Sequence, residues 1–474
     1  MHYDNSYIFS GKWSRRISAI LPGIPAIGFI LLAAVALLEP SPAFPAEEQV
    51  LLREDTFSGE SGWQRESRRA EISPEFFVAE RPSLGGPGSL GMYGASNSVV
   101  RGSWSKVVKG IGGGGHYRFE AAFLAQGVDF THQTVFAALE WRDADGAMIG
   151  HQRDYAAELD LANGWQKVGG TFQAPSNAGM VKISLYLSHC AQARVWWDAI
   201  SLVRVPDPPK RHVRLATVNC RPHDNSASTQ SVEDFCKVVE EAGKQGSDIV
   251  CLGEGINLCG VVIKEANRPA EYGDIAEPIP GPTTRRLGEL ARKYKMYIVA
   301  ALGEREKQAL YNTAVLIDRN GEIAGKYRKV YIPEGEYDQG CAQGDAYPVF
   351  DTDFGRIGMM ICWDSWFADP ARALSVQGAE VILLPIWGGN STLIRGRAIE
   401  NHVYVVSCGY DVESTIYDPW GTLLAEAKER PGVAVADIDL NYPPACPWPW
   451  PLGDTRQVLL QARRNDIKLP ALER

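Results

Sequence analysis

The feature that most constrains the fold is a change of pattern across Pro206-Asp-Pro-Pro209-Lys-Arg211. Its prolines remove ladder donors and stiffen the chain, so no central strand can run through this segment. Before it, from about residue 50 to 205, short alternating apolar runs recur: Tyr117 to Phe123, Thr134 to Trp141, Gln166 to Phe172, Val181 to Leu187 and Arg194 to Val203. Glycine-rich or polar turns separate these runs and helical spacing is scarce, which predicts an antiparallel β-sandwich.

After the spacer the period switches. Ser231-Val-Glu-Asp234 is a helix start, and Phe235, Val238, Val239 and Ala242 recur at helical spacing until Gly246 and Asp248 precede the apolar run Ile249 to Leu252. A second helical stretch, Pro282 to Lys295, leads into Met296 to Leu302. Asn320-Gly321 between Asn312 to Ile317 and Glu322 to Val330 signals a hairpin. Asp369-Pro370 opens another helix, and Gly378 ends it before Val381 to Leu384. Helices alternating with buried strands give an α/β class.

Three polar residues stand where such strands end: Glu254 in Cys251-Leu-Gly-Glu254-Gly, Lys329 in Tyr327-Arg-Lys329-Val-Tyr-Ile-Pro333, and Cys362 in Gly358-Met-Met-Ile-Cys362-Trp-Asp364. Each has a plain structural reading: a small buried hydrophobe for Cys362, a solvated strand edge for Lys329, a tight turn for Glu254. Together they suit acyl transfer. A thiol attacks an amide or nitrile carbon as thiolate, and Glu254 is the candidate base. Lys329 and the backbone N–H of Trp363 would stabilise the charge that develops on the substrate. Glu254 could then activate water against the thioester. This cycle requires no metal and no cofactor.

With their flanking residues, these motifs resemble the nitrilase superfamily of carbon–nitrogen hydrolases, over about Val213 to Leu440. Tyr347 to Gly358, Gly378 to Pro385 and Arg397-Ala-Ile-Glu-Asn401 are also similar to that family. The resemblance implies a Glu254, Lys329 and Cys362 catalytic set in a four-layer α-β-β-α sandwich, dimerised through a helical face. It also implies a second glutamate that orients substrate: Glu336, with Glu334 as its rival. Trp363, Trp387 and Asn390 are the further substrate-positioning candidates; Asn390-Ser391-Thr392 also fits a glycosylation acceptor, but it follows Trp387-Gly-Gly389 in what the resemblance makes an active-site loop. Two positions depart from the family: Tyr331 stands where histidine is usual, and Gly253 where proline is usual.

The end of the preceding region, Gly164-Trp-Gln-Lys-Val through Val195-Trp-Trp-Asp198, loosely resembles jelly-roll modules of the carbohydrate-binding or galactose-binding-like kind. That implies a glycan partner stacked on Trp104, Trp141 or the Trp196-Trp197 pair, against the alternative that these rings fill the core. Asp198 is a weak calcium candidate. Gly110-Ile-Gly-Gly-Gly-Gly115 fits a dinucleotide fingerprint formally, yet strand-like residues follow it rather than a helix.

Lys12, Arg15 and Arg16 precede an uncharged apolar stretch, Ile17 to Leu38, and small residues from Ser41 to Ala46 follow. This is the pattern of an export signal or anchor. The organisation read from sequence is thus a signal or anchor (1–46), a β-sandwich (47–205), a linker (206–211), a hydrolase domain (212–440) and a tail (441–474). A chain of 474 residues, 45% hydrophobic, can bury two cores, and its net charge of −9 provides no basic surface for nucleic acid. The expectation is an exported thiol hydrolase, acting as a homodimer on a small linear amide or N-carbamoyl compound. The alternatives are nitrile hydrolysis, N-acyl transfer, or a glycan-binding protein whose hydrolase domain is inactive.

Overall fold

The computed structural model describes residues 48–128, 134–155, 157–159 and 164–441. The expected signal or anchor, and all of the expected tail but its first residue, lie outside them.

Residues 49–205 form two antiparallel sheets. The seven-stranded sheet includes Ser89–Tyr93, His116–Gln126, Gln166–Gln173 and Arg194–Val205; the five-stranded sheet includes Arg101–Lys109, Val135–Arg142 and Met180–Ser188. Alternation sends one face of each strand inward, and Leu90, Phe119 and Trp197 from one sheet share a core with Trp104, Trp141 and Ile183 from the other. Trp104, Trp141 and Trp197 are fully buried there. Trp196 is buried in a separate small cluster with Ala122 and Trp165. Trp104, Trp141 and Trp197 therefore fill the interior, and Trp196 is covered by its own cluster, so none of the four offers a platform for sugar. The Asp198 carboxylate accepts from the backbone N–H groups of Leu84 at 2.6 Å and Ala199 at 2.7 Å, so it anchors a loop.

From residue 212 the chain forms two further six-stranded sheets. In chain order its elements are β1 (His212–Asn219), α1 (Ser228–Lys244), β2 (Ile249–Cys251), α2 (Pro282–Tyr294), β3 (Tyr297–Glu306), β4 (Ala309–Ile317), β5 (Ile323–Arg328), α3 (Glu334–Asp338), β6 (Val349–Asp351), β7 (Arg356–Met359), α4 (Asp369–Val376), β8 (Val381–Pro385), α5 (Ser391–Asn401), β9 (Tyr404–Cys408), β10 (Thr415–Tyr417), β11 (Leu423–Glu426) and β12 (Gly432–Asp439). The first sheet runs β5-β4-β3-β2-β1-β12, with β1, β2 and β3 parallel; the second runs β6-β7-β8-β9-β10-β11, with β7, β8 and β9 parallel.

Parallel strands need both faces covered. The inner faces share one core, in which Ile249 and Cys251 of the first sheet join Leu383 and Cys408 of the second. Helices α1 and α2 cover the outside of the first sheet, and α4 and α5 the outside of the second. The order of layers is helix, sheet, sheet, helix. Helix α1 shows why its sequence obliges this: Val232, Phe235, Val238, Val239 and Ala242 lie on one buried stripe. Each large apolar side chain so buried contributes about 1.5–3 kcal/mol. This helix starts at Ser228, three residues ahead of the expected Ser231.

Candidate active site

Strands of both sheets deliver polar groups at their carboxyl ends. Beyond β2 the chain turns at Gly255, whose φ of +58° suits glycine, and Glu254 is left 3% exposed. Lys329 follows β5 directly and is 1% exposed. Its ammonium donates to Oε1 of Glu254 at 2.8 Å and also to Oε1 of Glu336, which projects from α3. Glu334, the rival, is exposed at the start of the same helix.

Cys362 opens a short 3-10 turn after β7 with φ +43°, a left-handed conformation uncommon for a residue with a side chain. Asp364 holds that turn: its carboxylate accepts from Ile361 N–H at 2.9 Å, Tyr327 O–H at 2.7 Å and Tyr331 N–H at 3.0 Å, tying the cysteine segment to the lysine segment. Tyr331 itself stacks on Phe367 at 3.9 Å and donates to Asp369 at 2.7 Å. From α5, Arg397 Nε donates to the Ser365 carbonyl at 3.1 Å, so the Arg397 to Asn401 segment buttresses the same turn.

Glu254, Lys329, Glu336 and Cys362 share a cavity of about 550 Å³, with Tyr272, Leu258, Val261 and Trp387 among its walls and the more exposed Arg221, His223 and Asp224 also lining it. Trp387 contributes its backbone N–H, which donates to Oε2 of Glu254 at 2.8 Å. The Trp363 and Asn390 side chains do not line the cavity. The Trp363 indole is 36% exposed and packs on Trp366, while the Asn390 side chain caps α5 by accepting from Thr392 N–H at 2.9 Å and Leu393 N–H at 3.3 Å. Spacing alone could not separate a helix cap from a substrate contact.

Two participants escaped the sequence reading. Asn312 on β4, fully buried, donates through Nδ2 to Oε1 of Glu254 at 2.8 Å and Oε1 of Glu336 at 3.2 Å. Its only signal was an amide within the run Asn312 to Ile317. Tyr410, beyond β9, donates its hydroxyl to the Glu254 carbonyl at 2.8 Å.

Electrostatics follow from burial and an excess of acid. Burial, reinforced by the Glu254 charge beside it, raises the Cys362 thiol well above its usual range, so the resting sulfur is protonated. A thiol held this way must pass its proton on as it attacks. Burial works against the Lys329 ammonium, yet the charge of Glu254, with that of Glu336, raises it overall and keeps it cationic. Burial also raises Glu336, whose Oε2 is buried without a partner among the described residues.

The carbon–nitrogen hydrolase family matches residues 214–445. Omega-amidase NIT2 of Bos taurus is 30% identical over 248 residues, covering 46% of this chain and 86% of that protein. The chain belongs to the carbon–nitrogen hydrolase family. Another relative of this hydrolase, the deaminated glutathione amidase of Homo sapiens, is 30% identical over 255 residues, 47% of this chain and 76% of that protein. Among solved structures, an amidase from Nesterenkonia sp. is 22% identical with a TM-score of 0.42, over 48% of this chain and 90% of that one.

Proposed function

We propose that this hydrolase cleaves a linear amide or an N-carbamoyl group through a thioester on Cys362. The observation that supports this most is one buried lysine shared by two carboxylates in the cavity that holds the thiol. In this reading Glu254 takes the Sγ proton as sulfur attacks the carbonyl carbon. Lys329 and the Trp363 N–H stabilise the oxyanion. The tetrahedral intermediate expels the amine, which leaves with the proton held by Glu254. Water then loses a proton to Glu254 and attacks the thioester, giving the carboxylic acid and restoring the thiol. Glu336 orients the substrate, and its unpartnered Oε2 supports that role.

Ammonia release from linear amides, N-carbamoyl amino acids and nitriles, with Cys362→Ala in parallel, tests the scheme. Turnover of linear amides or N-carbamoyl amino acids, lost in the variant, is the expected result. Turnover confined to nitriles would favour the alternative chemistry, and amine-dependent consumption without free acid would favour acyl transfer.

We further propose that the amino-terminal sandwich is of the jelly-roll, galactose-binding-like type and that the enzyme is an exported homodimer. The basic, apolar and small-residue pattern of residues 12–46 supports export, and fractionation with sizing of the secreted chain tests it. Dimerisation rests on the family resemblance. With its tryptophans buried, the sandwich's glycan partner would need another surface, and a glycan array with the full chain decides whether one exists.

A further inference from the structure

We infer that Tyr410 is a positioning residue for Glu254 and that Gly253 is glycine because Tyr410 occupies the space its side chain would need. The inference rests on the reading of Glu254 as the base. Glu254 lies between Gly253 and Gly255, the most permissive residues a backbone can carry, so its conformation has to be imposed from outside. Tyr410 imposes it. A Cβ on Gly253 would lie 2.4 Å from the Tyr410 hydroxyl and 2.6 Å from Cζ, so the two chains approach as closely as they do only without that atom. The hydroxyl so admitted donates to the Glu254 carbonyl at 2.8 Å and fixes the main chain of the base.

The same ring acts on the carboxylate through Trp387. It meets that indole edge-on, with centroids 5.1 Å apart and planes at 85°, and the Trp387 N–H holds Oε2 of Glu254 at 2.8 Å. Tyr410 is itself anchored. It is 3% exposed, its N–H donates to the Trp387 carbonyl at 3.1 Å, and its carbonyl accepts from Arg430 at 2.7 Å. One tyrosine therefore fixes the glutamate at both ends, leaving Lys329 and Asn312 to hold Oε1. A base held only at Oε1 could swing away from the thiol, and misplacement on this scale costs turnover without changing binding.

The test reads kcat and KM on an amide substrate and, separately, the rate at which iodoacetamide alkylates Cys362, followed on the Cys362 peptide by mass spectrometry. Tyr410→Phe keeps the ring and removes the hydroxyl. Loss of one hydrogen bond to the base predicts kcat lower by about tenfold with KM unchanged, and slower alkylation. Gly253→Ala is expected to lower kcat in the wild-type background and to add nothing in Tyr410→Leu, where the ring is gone. A Tyr410→Phe enzyme with wild-type kcat and wild-type alkylation would overturn the inference. If the wild type turned over no amide but alkylation still slowed in Tyr410→Phe, the positioning role would stand and the amide reading would fall.

Discussion

Arg328 and Lys329 are consecutive residues that enter opposite kinds of buried charge cluster. Arg328 and Lys326 point to Glu304, which also accepts from the Thr313 hydroxyl, all within 2.6–2.9 Å. Alternation along the strand turns Lys329 the other way, to Glu254 and Glu336. In the first cluster two cations face one buried carboxylate; in the second, one cation faces two. Burial tends to raise Glu304, but its hydrogen bonds to Arg328, Lys326 and Thr313 hold it down to about 2. Burial raises Glu336, and the single shared lysine does not bring it back. Saturation with donors makes a brace, whereas a deficit of positive charge leaves a carboxyl able to exchange a proton.

Breaking the deficient cluster is expected to have the largest effect. Lys329→Met removes the cation shared by the two glutamates and the proposed partner of the oxyanion, so kcat should fall by about 10²–10³. An unchanged kcat in a folded variant would remove the lysine from the mechanism. Glu336→Gln keeps the shape and should lower kcat by about tenfold to a hundredfold. The sign of its pH effect follows from the raised pKa. Glu336 stays protonated to higher pH than an ordinary glutamate, so the activity that depends on its ionised form falls away on the acid side near neutrality, and that limb should flatten in Glu336→Gln. A pH–kcat profile with the same limb in both enzymes would assign the ionisation elsewhere.

The saturated cluster sharpens the contrast by leaving kcat nearly untouched. Glu304→Gln should cost about 3 kcal/mol of stability by chemical denaturation, because two cations lose a buried partner, while turnover stays within about twofold. Since Glu304 is depressed from 4.5 to about 2, its contribution is complete above the unfolded value and is lost as pH falls from about 4.5 through 2. Acid unfolding that begins at the same pH in wild type and Glu304→Gln would contradict this.

Glu254, Lys329 and Cys362 could be picked out together because each stands in a local motif at the end of an apolar run, and the structure brings the three to one cavity. The alternation of helix and strand was legible for the same reason, through the buried stripe of α1 and the Asn320-Gly321 turn. Asn312 and Tyr410 were not legible, since their partners lie 58 and 156 residues away in the chain and the contacts form only when the sheets pack. Asn390 went the other way: proximity in sequence to Trp387 suggested the cavity, but the helix start engages its side chain.

The most direct measurement is rapid quenching of the full chain with a slowly hydrolysed amide, followed by peptide mass spectrometry. The account predicts an acyl mass on the Cys362 peptide that accumulates and decays with turnover, and is absent from Cys362→Ala. Turnover with no acyl mass on Cys362, or turnover retained by Cys362→Ala, would contradict it.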